Sequence, residues 1–184
     1  MEFNNLEYEV YRRNVKYPRL ELKTGNLILV LPPGYSEKEI LKKHEKWIRK
    51  KLQFVNECLC QAENKKIEHR SMEEFEKIVL HLVEINQDFL KVKCNKILFR
   101  KMKSKWGSLS QNGNITINKV AKYLPTYLID YIIYHELAHA IEKHHNKRFK
   151  SIIMKKFKNF KELEKELFIY WFAINNETKK SRRR

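Results

Sequence analysis

Residues 131 to 149, "YIIYHELAHAIEKHHNKRF", set four histidines and two glutamates among apolar residues. A core helix rarely carries so many groups that are costly to bury. The apolar residues keep a helical period: Ile129, Ile133, Leu137 and Ile141 recur every fourth position, which predicts a helix with one face on a core. Leu124-Pro125 opens it, at about Thr126.

On that helix His135 and His139 are four apart, so their rings project from one face about one turn apart. Two imidazoles so placed can grip one tetrahedral zinc ion. Glu136 follows the first histidine, completing an H-E-x-x-H pattern. In that arrangement the glutamate is not a ligand but the base that takes a proton from a zinc-bound water. A chance occurrence of three fixed positions carries little weight; a mid-helix position beside an apolar stripe is the context the chemistry requires.

A third protein ligand is needed. His145 follows His139 by six residues and His144 by five. On a continued helix His145 would lie ~15 Å beyond His135, so the chain must turn after about Ala140 to Lys143. No glycine separates His139 from His145, so ordinary residues must make that turn. His145 is the favoured ligand. His144 and the glutamates of a later helix, Glu162, Glu164 and Glu166, are the rivals.

The rest of the chain reads as strands and helices in alternating groups. Leu6, Tyr8 and Val10 alternate with polar residues as in a half-buried strand. "RLELK" and "LILVL" flank Thr24-Gly25-Asn26 and predict a hairpin, so strands occupy 6–31. Ser36 with Glu39 is a capping-box pattern before a basic helix over about 37–60. Its apolar stripe is Ile40, Leu41, Trp47, Ile48, Leu52 and Val55. Ser71 with Glu74 repeats the pattern before a helix over about 72–86. "FLKVKC" and "ILFRKM" are short and β-rich, and Asn112-Gly113 marks a hairpin whose second arm points Ile115 and Ile117 one way. Helices follow near 146–158 and 160–175, and the basic tail 179–184 is expected to be mobile. The expected fold is α+β: a small antiparallel sheet, the H-E-x-x-H helix and flanking helices, in one domain over 1–178.

The net charge is +17 over 184 residues. This is either a lysine-rich solvated surface or the footprint of a polyanion such as nucleic acid. No apolar run approaches a membrane span, and "MEFNNLEYEV" lacks the basic region and apolar run of a signal peptide, so none is expected. Cys58, Cys60 and Cys94 have neither zinc-like nor redox spacing. A cytoplasmic protein with reduced thiols is expected.

Two segments together, "RKMKSKWGSLSQNGNITIN" (100–118) and "LPTYLIDYIIYHELAHAIEKHHNKRF" (124–149), resemble the YgjP-like predicted zinc metallopeptidases. That family joins a basic-Met-Lys-Ser-basic-Trp-Gly-Ser-Cys run, a hairpin, a proline-opened H-E-L-x-H helix and a third histidine before a phenylalanine. The N-terminal hairpin and "EKWIRKKL" also fit; about 56–96 does not match. The family is remotely similar to SprT-like and Wss1-like proteases, which cut proteins crosslinked to DNA. The resemblance implies zinc on His135, His139 and His145, Glu136 as catalytic glutamate, and a second signature in Lys103, Ser104, Lys105, Trp106, Gly107 and Ser108. It departs at Leu109, where the family has cysteine, so a metal or redox role for that position is excluded here.

The expected activity is peptide-bond hydrolysis on a peptide or protein. Substrate contacts are expected from Lys103, Lys105, Trp106 and Ser108, and from Ile115 and Ile117 on an edge strand that pairs with extended substrate. Trp106 equally reads as a core residue. Two other classes stay open. The same metal could hydrolyse a nucleoside triphosphate at a phosphoanhydride, an activity to which YgjP-like proteins have been linked; no P-loop glycine pattern supports it. A basic nucleic-acid-binding module with structural zinc would want four protein ligands and would have no use for Glu136.

Overall fold

The computed structural model describes residues 8–23 and 26–181. Leu6, the Thr24-Gly25 turn and the last three residues of the basic tail lie outside them. The chain divides into two compact units, Met1–Glu63 and Asn64–Arg184.

The first unit is a three-stranded sheet under a broken helix. Strands β1 (Tyr8–Arg12), β2 (Arg19–Lys23) and β3 (Asn26–Leu31) lie in the order β1-β3-β2. The expected β2–β3 hairpin is antiparallel, and β1 joins the other side of β3 in parallel. Alternation turns Leu27, Leu29 and Leu31 to one face, where they pack on Ile40, Leu41 and Ile48. Those last three belong to α1 (Glu37–Lys43) and α2 (Glu45–Glu63). One continuous helix was the expectation. The backbone instead leaves the helical region at His44 (φ −108°, ψ 16°). The change of phase leaves Trp47 37% exposed, off the stripe that holds Ile48 and Val55.

The second unit carries the sequence motifs. Helix α3 (Met72–Leu90) starts on a complete capping box: the Ser71 hydroxyl accepts the Glu74 N–H at 3.1 Å, and the Glu74 carboxylate accepts the Ser71 N–H at 2.8 Å. Its buried face, Phe75, Val79, Val83 and Asn86, keeps helical spacing up to the expected end, and the helix runs four residues beyond it. "FLKVKC" gives the helix its last two residues, and Lys91 closes it in the left-handed region at φ 56°.

Strands β4 (Lys96–Arg100), β5 (Gly107–Leu109) and β6 (Asn114–Asn118) form a second sheet in the order β4-β6-β5. The Asn112-Gly113 signal is a β5–β6 hairpin with Gly113 at φ 68°. β4 pairs with β6 in parallel, so 101–106 crosses the end of β6. Both sheets are mixed; hairpin signals reveal only the antiparallel pairs. A 3₁₀ turn, Lys119–Tyr123, leads into α4 (Thr126–Ala138). Leu128, Ile129, Ile133 and Leu137 of α4 are fully buried. Ile141 lies past its end and is 36% exposed. Helices α5 (Lys147–Met154) and α6 (Phe160–Ser181) complete the unit. Among the described residues no helix is long and apolar enough to cross a membrane.

Candidate metal centre

Three histidine rings meet where α4 ends. The helix stops at Ala138 without glycine. The N–H groups of His139, Ala140 and Ile141 donate three residues back, to Glu136, Leu137 and Ala138 carbonyls, tightening the last turn. The chain then doubles back, and Asn146 caps α5 by accepting the Phe149 N–H at 3.0 Å. This return brings His145 to the other two. The Nε2 atoms of His135 and His145 are 3.1 Å apart, and one ligand atom from each of the three histidines lies within 4.8 Å of the others.

Second contacts set the rings. His139 Nδ1 donates to the Glu142 carbonyl at 3.1 Å, which leaves Nε2 with its lone pair. Phe149 stacks on the His139 ring at 4.6 Å and 25° and touches His135 and His145 edge-on. Burial, then the neighbouring imidazoles, push His135 down to about 3. Burial also lowers His139. Both are neutral at pH 7, the form a cation binds. Three imidazoles converging on one point fit a metal ion, and among the described residues no fourth side chain joins them.

The rivals for third ligand have other partners. Glu164 accepts the Tyr131 hydroxyl at 3.1 Å, and Glu166 accepts the Lys65 ammonium at 2.5 Å. His144 is exposed and its N–H donates to the Glu142 carboxylate. Among the described residues the histidine trio forms the one such cluster, and neither His144 nor Glu162, Glu164 or Glu166 joins it.

Glu136 sits beside the trio, under β5. A Cβ built on Gly107 would stand 2.8 Å from Glu136 Cγ, so only glycine lets strand and side chain approach this closely. The Leu109 N–H donates to the Glu136 carboxylate, and Lys105 is near enough for its charge to act on it. Burial outweighs both and pushes Glu136 up to about 7.

The second signature is organised by a residue that sequence reasoning missed. Asn118 is fully buried. Its Oδ1 accepts the Met102 and Val120 N–H groups at 3.2 and 3.3 Å. Its Nδ2 donates to the Met102 and Lys105 carbonyls at 2.9 and 2.7 Å. Nothing in "ITIN" marks this asparagine above other strand-end polar residues. Phe149 and the Glu142 carbonyl were also unmarked, since a ring's stacking partner has no sequence spacing rule.

The expected substrate residues separate. Lys103 and Lys105 are exposed, and Ser108 is half-buried on β5. Trp106 is half-buried and packs edge-on against Trp171 at 5.0 Å. Ile115 and Ile117 are wholly buried, and β6 is the middle strand, bonded on both sides. β6 is therefore not the edge strand expected. A strand paired in parallel was hidden in "ILFRKM", and it moves the edge to β5.

The model of the YgjP-like, metallopeptidase domain family matches residues 59–169. It takes in nearly all of the 56–96 stretch where no match was expected, and it does not extend to the N-terminal hairpin or "EKWIRKKL". The chain belongs to the YgjP-like family. The match spans more than half of it and includes the histidine trio, Glu136 and the 103–108 signature, so this YgjP-like chain is a metallopeptidase with a metal ion and a peptide or protein substrate. Among solved structures, it is similar to the metallopeptidase zymogen abylysin of Pyrococcus abyssi. Identity is 28% over 48% of this chain and 90% of that one, with a TM-score of 0.45. The zymogen jannalysin of Methanocaldococcus jannaschii is 25% identical over 55% of this chain and 90% of that one, with a TM-score of 0.44. No curated protein matches.

Proposed function

We propose that this YgjP-like protein is a zinc-dependent endopeptidase in which His135, His139 and His145 hold the ion and Glu136 is the general base. The observation that carries the reading is the convergence of three imidazoles beside one half-buried carboxylate whose pKa burial raises. When bound, zinc polarises the scissile carbonyl and acidifies water.

The chain's own residues do the rest. Glu136, held near pH 7 by burial, takes the proton from the attacking water and passes it to the leaving amine. The Leu109 N–H fixes its carboxylate, and Gly107 lets β5 lie against it. β5 is an edge strand, so an extended peptide adding to it lies beside Glu136. The register turns Ser108 toward β6, so Gly107 and the Leu109 carbonyl face that edge. A closed structural zinc site would take a fourth protein ligand, and the cluster offers three. Three free cysteines suit a reducing, cytoplasmic setting.

The test is metal content of the purified protein, followed by casein hydrolysis and nucleoside triphosphate hydrolysis, with Glu136→Gln as blank. About one zinc per chain and casein cleavage that Glu136→Gln abolishes are expected. Turnover of the nucleotide alone, lost in Glu136→Gln, would replace the peptidase assignment; no zinc would overturn the ligand set.

A further inference from the structure

The basic excess is not spread evenly around this centre. Nine lysines and arginines and no carboxylate lie between Asp88 and Asp130. Eight more, again with no carboxylate, lie between Glu142 and Glu162. The first stretch contains the β5 edge; the second begins at the third histidine's turn. Both stretches are therefore of one sign along the sequence, with Glu142 and Asp130 at their bounds.

Within the first stretch, Lys103 and Lys105 have the most pointed placement. They stand on the crossover segment just before Gly107, at the end of the edge strand. Both are exposed, and neither forms an ion pair among the described residues. Their backbone is held all the same: Asn118, from inside the core, grips Met102 on both backbone groups and the Lys105 carbonyl. A solvated charge run needs no such anchor. Two like charges two residues apart, with no ion pair among the described residues, repel each other. Lys105 has one carboxylate, Glu136, near enough for its charge to act on. On the opposite flank Lys143 and Lys147 are exposed too.

We infer that Lys103 and Lys105 form a subsite for acidic side chains, so that this peptidase cleaves polypeptide carrying glutamate or aspartate within a few residues of the scissile bond. The inference rests on the peptidase reading and adds its substrate class. A peptide added to β5 runs on past Gly107 and passes both lysines, where its carboxylate supplies a counter-charge. Exposed pairs of this kind are worth a few-fold each, and they weaken as salt screens them.

The experiment uses the zinc-loaded full chain and three quenched fluorescent peptides, identical except for Glu, Gln or Lys at the positions flanking the cleaved bond. The Glu peptide should exceed the Lys peptide in kcat/KM by roughly threefold to tenfold at low salt, with the gap closing in 0.5 M NaCl, an ionic strength at which screening lengths fall below about 5 Å. The double substitution Lys103→Gln, Lys105→Gln should level the series, and Lys103→Glu, Lys105→Glu should invert it. Circular dichroism and melting of each variant check the fold. Equal cleavage of all three peptides by wild type, or an order unchanged in the charge-reversed variant, overturns the subsite while the peptidase reading stands. Cleavage of none overturns the peptidase reading and the subsite with it. Binding of a labelled oligonucleotide that the two lysines control, with the peptide order unaffected, overturns the subsite in favour of nucleic acid.

Discussion

Gly107 and Glu136 touch so closely that no side chain fits between them: a methyl group on Gly107 would lie 2.8 Å from Glu136 Cγ. The second signature and the H-E-x-x-H helix thus meet at one contact. Gly107→Ala should push the Glu136 side chain or β5 aside, at a cost of about 1–3 kcal/mol. Misplacing a general base by about 1 Å lowers rate about a hundredfold. The expected outcome is kcat down by that order with zinc content unchanged, measured by casein turnover and metal analysis of the same sample.

Metal binding divides between ligands and supports. His145→Ala should weaken zinc binding more than about a hundredfold, beyond the range of losses seen for supporting residues. Phe149→Leu removes the ring stacked on His139 at 4.6 Å and should weaken it about tenfold. Competition titration against a chromogenic chelator distinguishes the two. Equal effects would mean that His145 is not a ligand.

Asn118→Leu removes four hydrogen bonds from the 102–106 segment and the turn after β6. Buried partners left unmet cost about 1–3 kcal/mol each, so a loss of roughly 3 kcal/mol or more is expected on denaturant unfolding. Amide exchange at Met102 should speed up in step. A melt within 2 °C of wild type would contradict this account.

A second polar cluster joins α3, α4 and the turn after α5. The Lys156 ammonium donates to Asn86 Oδ1 and to Asp130 at 2.8 Å each, and Asn86 Nδ2 donates to Asp130. Lys156 and Asp130 are 24% and 19% exposed. Lys156→Met and Asp130→Asn should each destabilise by about 2 kcal/mol, and a double-mutant cycle should show coupling of about 1–2 kcal/mol. Additive effects would reduce the pair to surface chemistry.

The histidine trio was legible because metal chemistry needs particular side chains at helical spacing. His145 was favoured as a familiar ligand at a known spacing, and because a continued helix could not bring it back, a turn had to follow. How the chain turned was not, because the turn rests on a tightened last turn and the Glu142 carbonyl, backbone features that any residues could supply. The β5–β6 hairpin was readable from Asn112-Gly113, whereas β4 reaches β6 from across the sheet with no local marker. That missed pairing put the edge on the wrong strand. The end of α3 was misplaced because the helix runs four residues past Asn86 and closes on a left-handed Lys91, with no glycine or proline to mark the stop.

β5 is three residues long. On the proposed reading, so brief a ladder offers a visiting chain only about two or three backbone hydrogen bonds, each worth about 1 kcal/mol net. That is too little to pull a segment out of a helix or a sheet, where local opening costs up to the whole stability of a domain. The enzyme would therefore sort polypeptides first by how freely they open. Natively folded proteins would pass it intact, and nascent, damaged or tail segments already extended in solution would be taken.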